Sequence, residues 1–208
     1  MSYDLTPSLV LNAYARGIFP MAESRDDDDI YWLEPEQRGI LPLDGFHISR
    51  SLRKTLQREP YQIKIDTNFV GVVEGCADRS ETWINDTIFA IYMDLFRAGH
   101  AHCIEVWDKE DLVGGVYGVC LRAAFFGESM FSRRRDASKI ALAYLVSRLR
   151  FGGFQLFDMQ FLTSHLASLG GIEVSRDAYR KKLKAALQAD GNFLRQPQAV
   201  SAHQVCNE

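Results

Sequence analysis

Three apolar, β-branched and aromatic runs follow one another with almost no chain between them: His102 to Trp107, Leu112 to Leu121 and Ala123 to Phe131. Lys109-Glu110-Asp111 is short enough for a hairpin, so the runs predict three neighbouring strands in an antiparallel meander. A sheet with so many apolar side chains on both faces must be covered on both. The flanking sequence supplies helices for that purpose. Asn85-Asp86 caps a helix whose apolar positions Ile88, Ile91, Tyr92, Leu95 and Phe96 fall on one side, with Gly99 as its stop. Behind the meander, Asp136 is placed to cap a second helix bearing Leu142, Leu145, Val146 and Leu149, closed by Gly152-Gly153.

The remaining elements are shorter. Thr6-Pro7 opens an amphipathic helix ended by Gly17, and residues 22 to 29 form a polar, acidic loop. Pro35, Gly39 and Pro42 interrupt the next stretch, so residues 1–45 are expected to form a small, turn-rich subdomain and residues 46–208 the main domain with a tail. Ser49 to Leu56 suits a helix, Gln62 to Asp66 a half-buried strand, and Phe69 to Cys76 a further helix. Phe154 to Gln160 predicts a strand, Ser164 to Leu169 a short helix and Asp177 to Leu187 a basic helix, after which the signal fades. This order gives an α+β fold, a mixed sheet flanked by helices. It fits the acetyltransferase-like (GNAT-like) architecture, an analogy of fold that carries no function by itself.

The 208 residues, 47% of them hydrophobic, are enough for one sizeable core. No apolar stretch approaches the ~20 residues of a membrane span, so no membrane partner is expected. Cys76, Cys103, Cys120 and Cys206 form no C-x-x-C pair and fit a reduced, cytoplasmic setting. The five histidines show no ligand pattern with them, and neither metal nor cofactor is expected. A net charge of −3 does not exclude a nucleic acid, because positive charge gathers at Arg133-Arg134-Arg135 and at Arg180-Lys181-Lys182-Lys184. Solvated faces and helix ends are the plain alternative for both clusters.

Chemistry is expected where polar groups enter apolar strands. Glu128, in Phe125-Phe126-Gly127-Glu128-Ser129-Met130-Phe131-Ser132, would cost several kcal/mol to bury without a partner. Asp158 and Gln160, two apart on a strand, share one face while Phe157 and Met159 take the other. The pair can converge on a ligand, or it can close a strand end by bonding to backbone. Gly114-Gly115-Val116-Tyr117-Gly118 lies inside a strand with no helix directly behind it, so it marks a bulge or close approach rather than a phosphate loop. There is no G-x-S-x-G nucleophile motif.

Taken together the segments resemble the bacterial leucyl/phenylalanyl-tRNA-protein transferases. The matching pieces are Tyr14 to Met21, Trp32 with Pro35 and Arg38, His47 to Ser51, Thr82-Trp83-Ile84, Gly99 to His102, Glu105 to Trp107 and Leu112 to Gly118. They continue with Gly127 to Ser132, Ala137-Ser138-Lys139, Asp158-Met159-Gln160 and His165 to Gly170. The resemblance implies an aminoacyltransferase that moves Leu or Phe, with Met a further candidate, from charged tRNA to acceptor proteins beginning with Arg or Lys, marking them for degradation. It implies a monomer. Trp83, Phe125 and Glu128 would hold the terminal adenosine and aminoacyl ester, with Trp32 closing from the first subdomain. Leu142, Leu145, Leu149 and Phe157 would line the side-chain pocket. The basic helix with Arg180, Lys181, Lys182 and Lys184 would meet acceptor-stem phosphates.

On this reading Asp158 works through Gln160, its carboxylate orienting the amide that steers the incoming amine, while also offering charge to the acceptor's basic end. The acidic run Asp26 to Asp29, Cys103, Leu145 and Leu149 depart from the family pattern and leave the donor preference open. A coenzyme-A-dependent N-acetyltransferase is the alternative enzyme, but its pyrophosphate loop is missing from Ser132 to Lys139. A tRNA- or degron-binding module without catalysis is the other alternative.

Overall fold

Side-chain caps start most of the described helices, among them the two expected at Thr6 and Asn85. In the computed structural model, which describes residues 5–27, 29–198 and 200–207, Thr6 accepts from the Leu9 N–H to open α1 (Pro7–Tyr14). Asp28, part of the acidic run, lies outside the described residues. A two-stranded ribbon comes next, β1 (Phe19–Met21) antiparallel to β2 (Tyr31–Leu33). Then come β3 (Gln37–Ile40), α2 (Arg50–Gln57) capped by Ser49, β4 (Gln62–Ile65), α3 (Phe69–Ala77) capped by Asn68, and α4 (Asp86–Arg97) capped by Asn85.

The meander is present as β5 (Ala101–Asp108), β6 (Asp111–Leu121) and β7 (Ala124–Ser132). Behind it lie α5 (Ala137–Phe151), β8 (Leu156–Gln160), α6 (Ser164–Ser168), β9 (Ile172–Ser175), α7 (Arg176–Gln188) and α8 (Ala202–Asn207). One cap differs from expectation. Asp136 adopts a left-handed backbone (φ 62°) and makes no side-chain cap; its carboxylate faces Lys139 and Arg135, and Ser132 Oγ accepts from the Ser138 N–H instead.

The main sheet runs β4-β5-β6-β7-β8-β3-β9. Every pairing is antiparallel except β7 with β8, which α5 joins as a parallel crossover. β3 and β9 are not apparent in the sequence. β3, from residues 37–40, sits between β8 and β9, so the early chain contributes a strand to the main sheet. One face packs against α1, α3, α4 and α7 through Val10, Tyr14, Phe69, Tyr92 and Tyr179. The other packs against α2, α5 and α8 through Leu52, Leu142, Leu149 and Val205. No helix among the described residues is long and apolar enough to cross a membrane.

The tail also docks. Arg148, 2% exposed, donates to the carbonyls of Phe193, Gln196 and Pro197, and the Phe193 ring stacks on His102 with centroids 4.3 Å apart.

Candidate functional site

β6 and β7 lose register where the glycine-rich run ends. Tyr117 pairs with Ser129 and Gly118 with Gly127, so Glu128 is the extra residue of a β-bulge. A bulge bends its strand and re-aims the side chain, and here it shifts the alternation: Phe126 and Phe131 lie on the α4 face, Phe125 and Met130 on the α5 face. Gly118 permits the close pairing, since a Cβ there would fall 2.6 Å from the Phe125 ring.

The bulge delivers the Glu128 carboxylate, only 9% exposed, to three donors. Tyr14 Oη donates to Oε1 at 2.6 Å, Tyr92 Oη to Oε2 at 2.5 Å, and Gln160 Nε2 to both oxygens at 3.2 Å. Burial pushes the Glu128 carboxyl up to about 7, against the downward pull of these donors and with a further push from the Asp158 charge. Burial and the nearby carboxylate likewise raise the Tyr14 and Tyr92 hydroxyls well above their usual range, so both stay protonated donors.

Asp158 is fully buried and fully engaged. Arg38 of β3 grips it in bidentate fashion, Nε to Oδ1 at 2.9 Å and Nη2 to Oδ2 at 2.6 Å, and Tyr179 Oη adds a bond of 2.7 Å. The guanidinium lies between the Phe19 and Tyr179 rings, 4.6 Å from each centroid, and its Nη1 donates to Gly17 O. Burial alone would lower the Arg38 pKa, but its contacts with Asp158 raise it, and the guanidinium stays charged. Asp158 Oδ1 also accepts the Gln160 backbone N–H at 2.8 Å, at a residue with φ of 62°. This costly backbone conformation turns the Gln160 side chain toward Glu128.

β7 and β8 pair only from Ala124 to Phe126 and from Leu156 to Asp158. Beyond that point the strands diverge, and a cleft of about 570 Å³ opens between them. Glu128, Gln160 and Trp83 line it, with Met21, Phe161 and His165 on its walls and Arg79 and Arg133 at its mouth. Partial burial and the charge of Lys139 lower the His165 pKa. A smaller apolar cavity of about 80 Å³ shares Glu128, Ser129, Met130, Met159 and Leu166 with the cleft and is closed by Val116, Leu142 and Phe157.

The structure therefore brings together Trp83, Glu128, Gln160, Leu142 and Phe157, and places the other candidates elsewhere. Phe125 is fully buried on the α5 face, edge-on to Phe157 at 5.4 Å, because strand alternation before the bulge sends it away from the carboxylate. It lines neither the cleft nor the apolar cavity. Leu145 and Leu149 are core residues outside that cavity. Trp32 pairs with Pro20 and lines a separate hollow with Leu9, Arg16 and Ile18, whereas Met21, one position on, reaches the cleft. Asp158 orients the Gln160 backbone rather than its amide, and its charge is met by Arg38 and unavailable to an acceptor. On α7, Arg180 is paired with Glu34 at 2.6 Å, while Lys181, Lys182 and Lys184 are exposed. In the sequence Tyr14 and Tyr92 are legible only as apolar helix positions, and Arg38 carries no signal of its role.

Similarity to known proteins extends along nearly the whole chain. Residues 3–36 match the family model for the leucyl/phenylalanyl-tRNA protein transferase N-terminal domain, and residues 40–184 match the model for leucyl/phenylalanyl-tRNA protein transferase itself. A leucyl/phenylalanyl-tRNA–protein transferase of Ruegeria sp. (strain TM1040) is 63% identical over 190 residues, covering 91% of this chain and 90% of that protein. The transferase of Roseobacter denitrificans is 61% identical over 193 residues, covering 93% and 92%. Among solved structures, L-PGS from Bacillus licheniformis gives a TM-score of 0.41 at 14% identity, over 72% of this chain and 56% of that one. A cAMP-binding acyltransferase from Mycobacterium smegmatis gives 0.28 at 13% identity, over 89% and 60%. By its sequence relatives, the chain belongs to the leucyl/phenylalanyl-tRNA protein transferase family.

Proposed function

We propose that this chain transfers leucine or phenylalanine from aminoacyl-tRNA to the N-terminus of proteins that begin with Arg or Lys, marking them for degradation. The observation that carries the reading is the junction of two spaces: a cleft holding Trp83, Glu128 and Gln160, and an apolar cavity opening off it beside the same carboxylate. Trp83 offers a face to the terminal adenine, a stack worth roughly 1 to 3 kcal/mol. The aminoacyl side chain enters between Leu142 and Phe157, where a charged side chain would lose its water without compensation.

The donor ester is already activated, so the protein's work is alignment. Gln160 gives its Nε2 to Glu128, which leaves Oε1 to accept an N–H from the incoming amine. The neutral amine attacks the ester carbonyl, the C–N bond forms as the C–O bond to the ribose breaks, and the proton lost by the amine balances the one gained by the ribose hydroxyl. Asp158 and Arg38 serve as positioning residues that fix the turn at Gln160. No acyl-enzyme is needed.

The test uses radiolabelled Phe-tRNA with peptides starting in Arg, Lys or Ala. Label is expected on the first two and absent from the third. Binding of tRNA and peptide without a new peptide bond would replace this reading with that of a binding module.

A further inference from the structure

The outer half of the cleft carries charge that the reaction itself does not use. Arg79 donates to Met130 O and lies 3.5 Å from Ser129 Oγ, both neutral acceptors. Arg133 contacts Asp78 at 2.9 Å and lies with its guanidinium 5.3 Å from the Phe131 centroid. The adjoining loop adds Arg134, which donates to the Arg133 carbonyl, and Arg135 and Lys139, which share the single carboxylate of Asp136. On a chain of net charge −3, cations outnumber carboxylates at this mouth. Two of the guanidiniums line the cleft itself, Arg79 steadied by a backbone carbonyl and Arg133 by the Phe131 ring and by Asp78, the one carboxylate beside them in the lining.

The inner end of the cleft is apolar beside the hydrogen-bonded Glu128, and the middle is aromatic. Cationic donors at the outer end complete the pattern of a nucleotide: acyl group, base, phosphate. We propose that Arg79 and Arg133 form a subsite for the phosphodiester on the 5′ side of the donor's terminal nucleoside. The inference rests on the reading that the cleft takes an aminoacyl nucleotide. It places the phosphate contact at the rim of the cleft rather than on α7, none of whose residues lines the cleft or the apolar cavity. It also gives a function to the arginine run just after β7. Such a subsite anchors the donor without reading base sequence.

The test compares two small donors, phenylalanyl-adenosine with a free 5′-hydroxyl and the same ester bearing a 5′-methylphosphate, with an Arg-starting peptide as acceptor. The parental protein is expected to prefer the phosphorylated donor by about tenfold in kcat/KM, the scale of one charge-assisted contact. Arg79→Ala and Arg133→Ala should each pull that ratio toward one, and Arg133→Lys should keep part of it. With Phe-tRNA, each alanine variant should reduce the slope of log(kcat/KM) against log[salt] by about 0.7. A general loss of fold would lower both donors together and leave the ratio intact. A parental ratio near one, or a ratio and salt slope unmoved in both alanine variants, overturns the subsite. If the parental protein uses neither small donor nor Phe-tRNA, the functional reading falls first; transfer from Phe-tRNA with no phosphate preference sinks the subsite alone.

Discussion

Gln160 Nε2 bonds both carboxylate oxygens of Glu128, and this pair joins the end of β8 to the bulge of β7 across the point where the strands part. The acid is buried and held by neutral donors only. Its protonation is therefore coupled to folding. The folded carboxyl titrates at about 7 against 4.5 for the exposed group, so between those values the native state binds the extra proton. Stability from this group is fully present below about 4.5 and is lost as pH rises through about 7, a change of about 3 kcal/mol. Glu128→Gln, close in shape and uncharged, should flatten this loss. Urea unfolding at pH 5 and pH 8 checks it, and an unchanged pH dependence in the variant would refute the assignment.

Arg38 and Asp158 are both fully buried, so each depends on the other. Arg38→Met leaves a carboxylate without its counter-ion and should cost about 3 to 5 kcal/mol. Arg38→Met combined with Asp158→Asn removes the stranded charge and should recover part of that cost. A double-mutant cycle by chemical denaturation measures the coupling; additive single effects would contradict it.

On the proposed function, the apolar cavity of about 80 Å³ receives the donor's side chain. Leu142→Phe fills it from the α5 side and should reduce kcat/KM for Phe-tRNA by at least about tenfold, with a smaller loss for Leu-tRNA. Overpacking should cost about 1 to 3 kcal/mol of stability at most. Equal losses for both donors would place the acyl side chain elsewhere.

Arg148 is the peg of the tail. Arg148→Met strips three carbonyls of their donor and should lower stability by about 1 to 3 kcal/mol while exposing residues 190–207 to limited proteolysis. Cleavage at the parental rate would show that the Phe193 ring and the short α8 suffice to hold the segment.

Legibility tracks local pattern. The meander, α4 and α5 are readable because period-two and period-3.6 apolar repeats are long there, and Glu128 stands out because a carboxylate in an apolar run needs partners. β3 is not readable: its four residues place a charged Arg38 inside, and the partner that makes this tolerable is 120 positions away. β9 is an edge strand with mostly exposed residues, so no apolar rhythm marks it. The rings of Trp32 and Phe125 point to a ligand in the sequence, yet which face a ring takes depends on ribbon register and on a bulge. Tyr14 and Tyr92 are hidden for the opposite reason, since a tyrosine in an amphipathic stripe reads as packing until its hydroxyl is seen on the carboxylate.

The interleaving of β3 between β8 and β9 sets a timetable for biosynthesis. During translation, residues 37–40 emerge long before the strands they must join, and at about 5 to 20 residues per second the wait to residue 160 is roughly 6 to 24 s. Until then Arg38 has no carboxylate and Gln160 does not exist. A nascent chain thus emerges inactive, and competence arrives only near completion, when the last third of the polypeptide closes around the first.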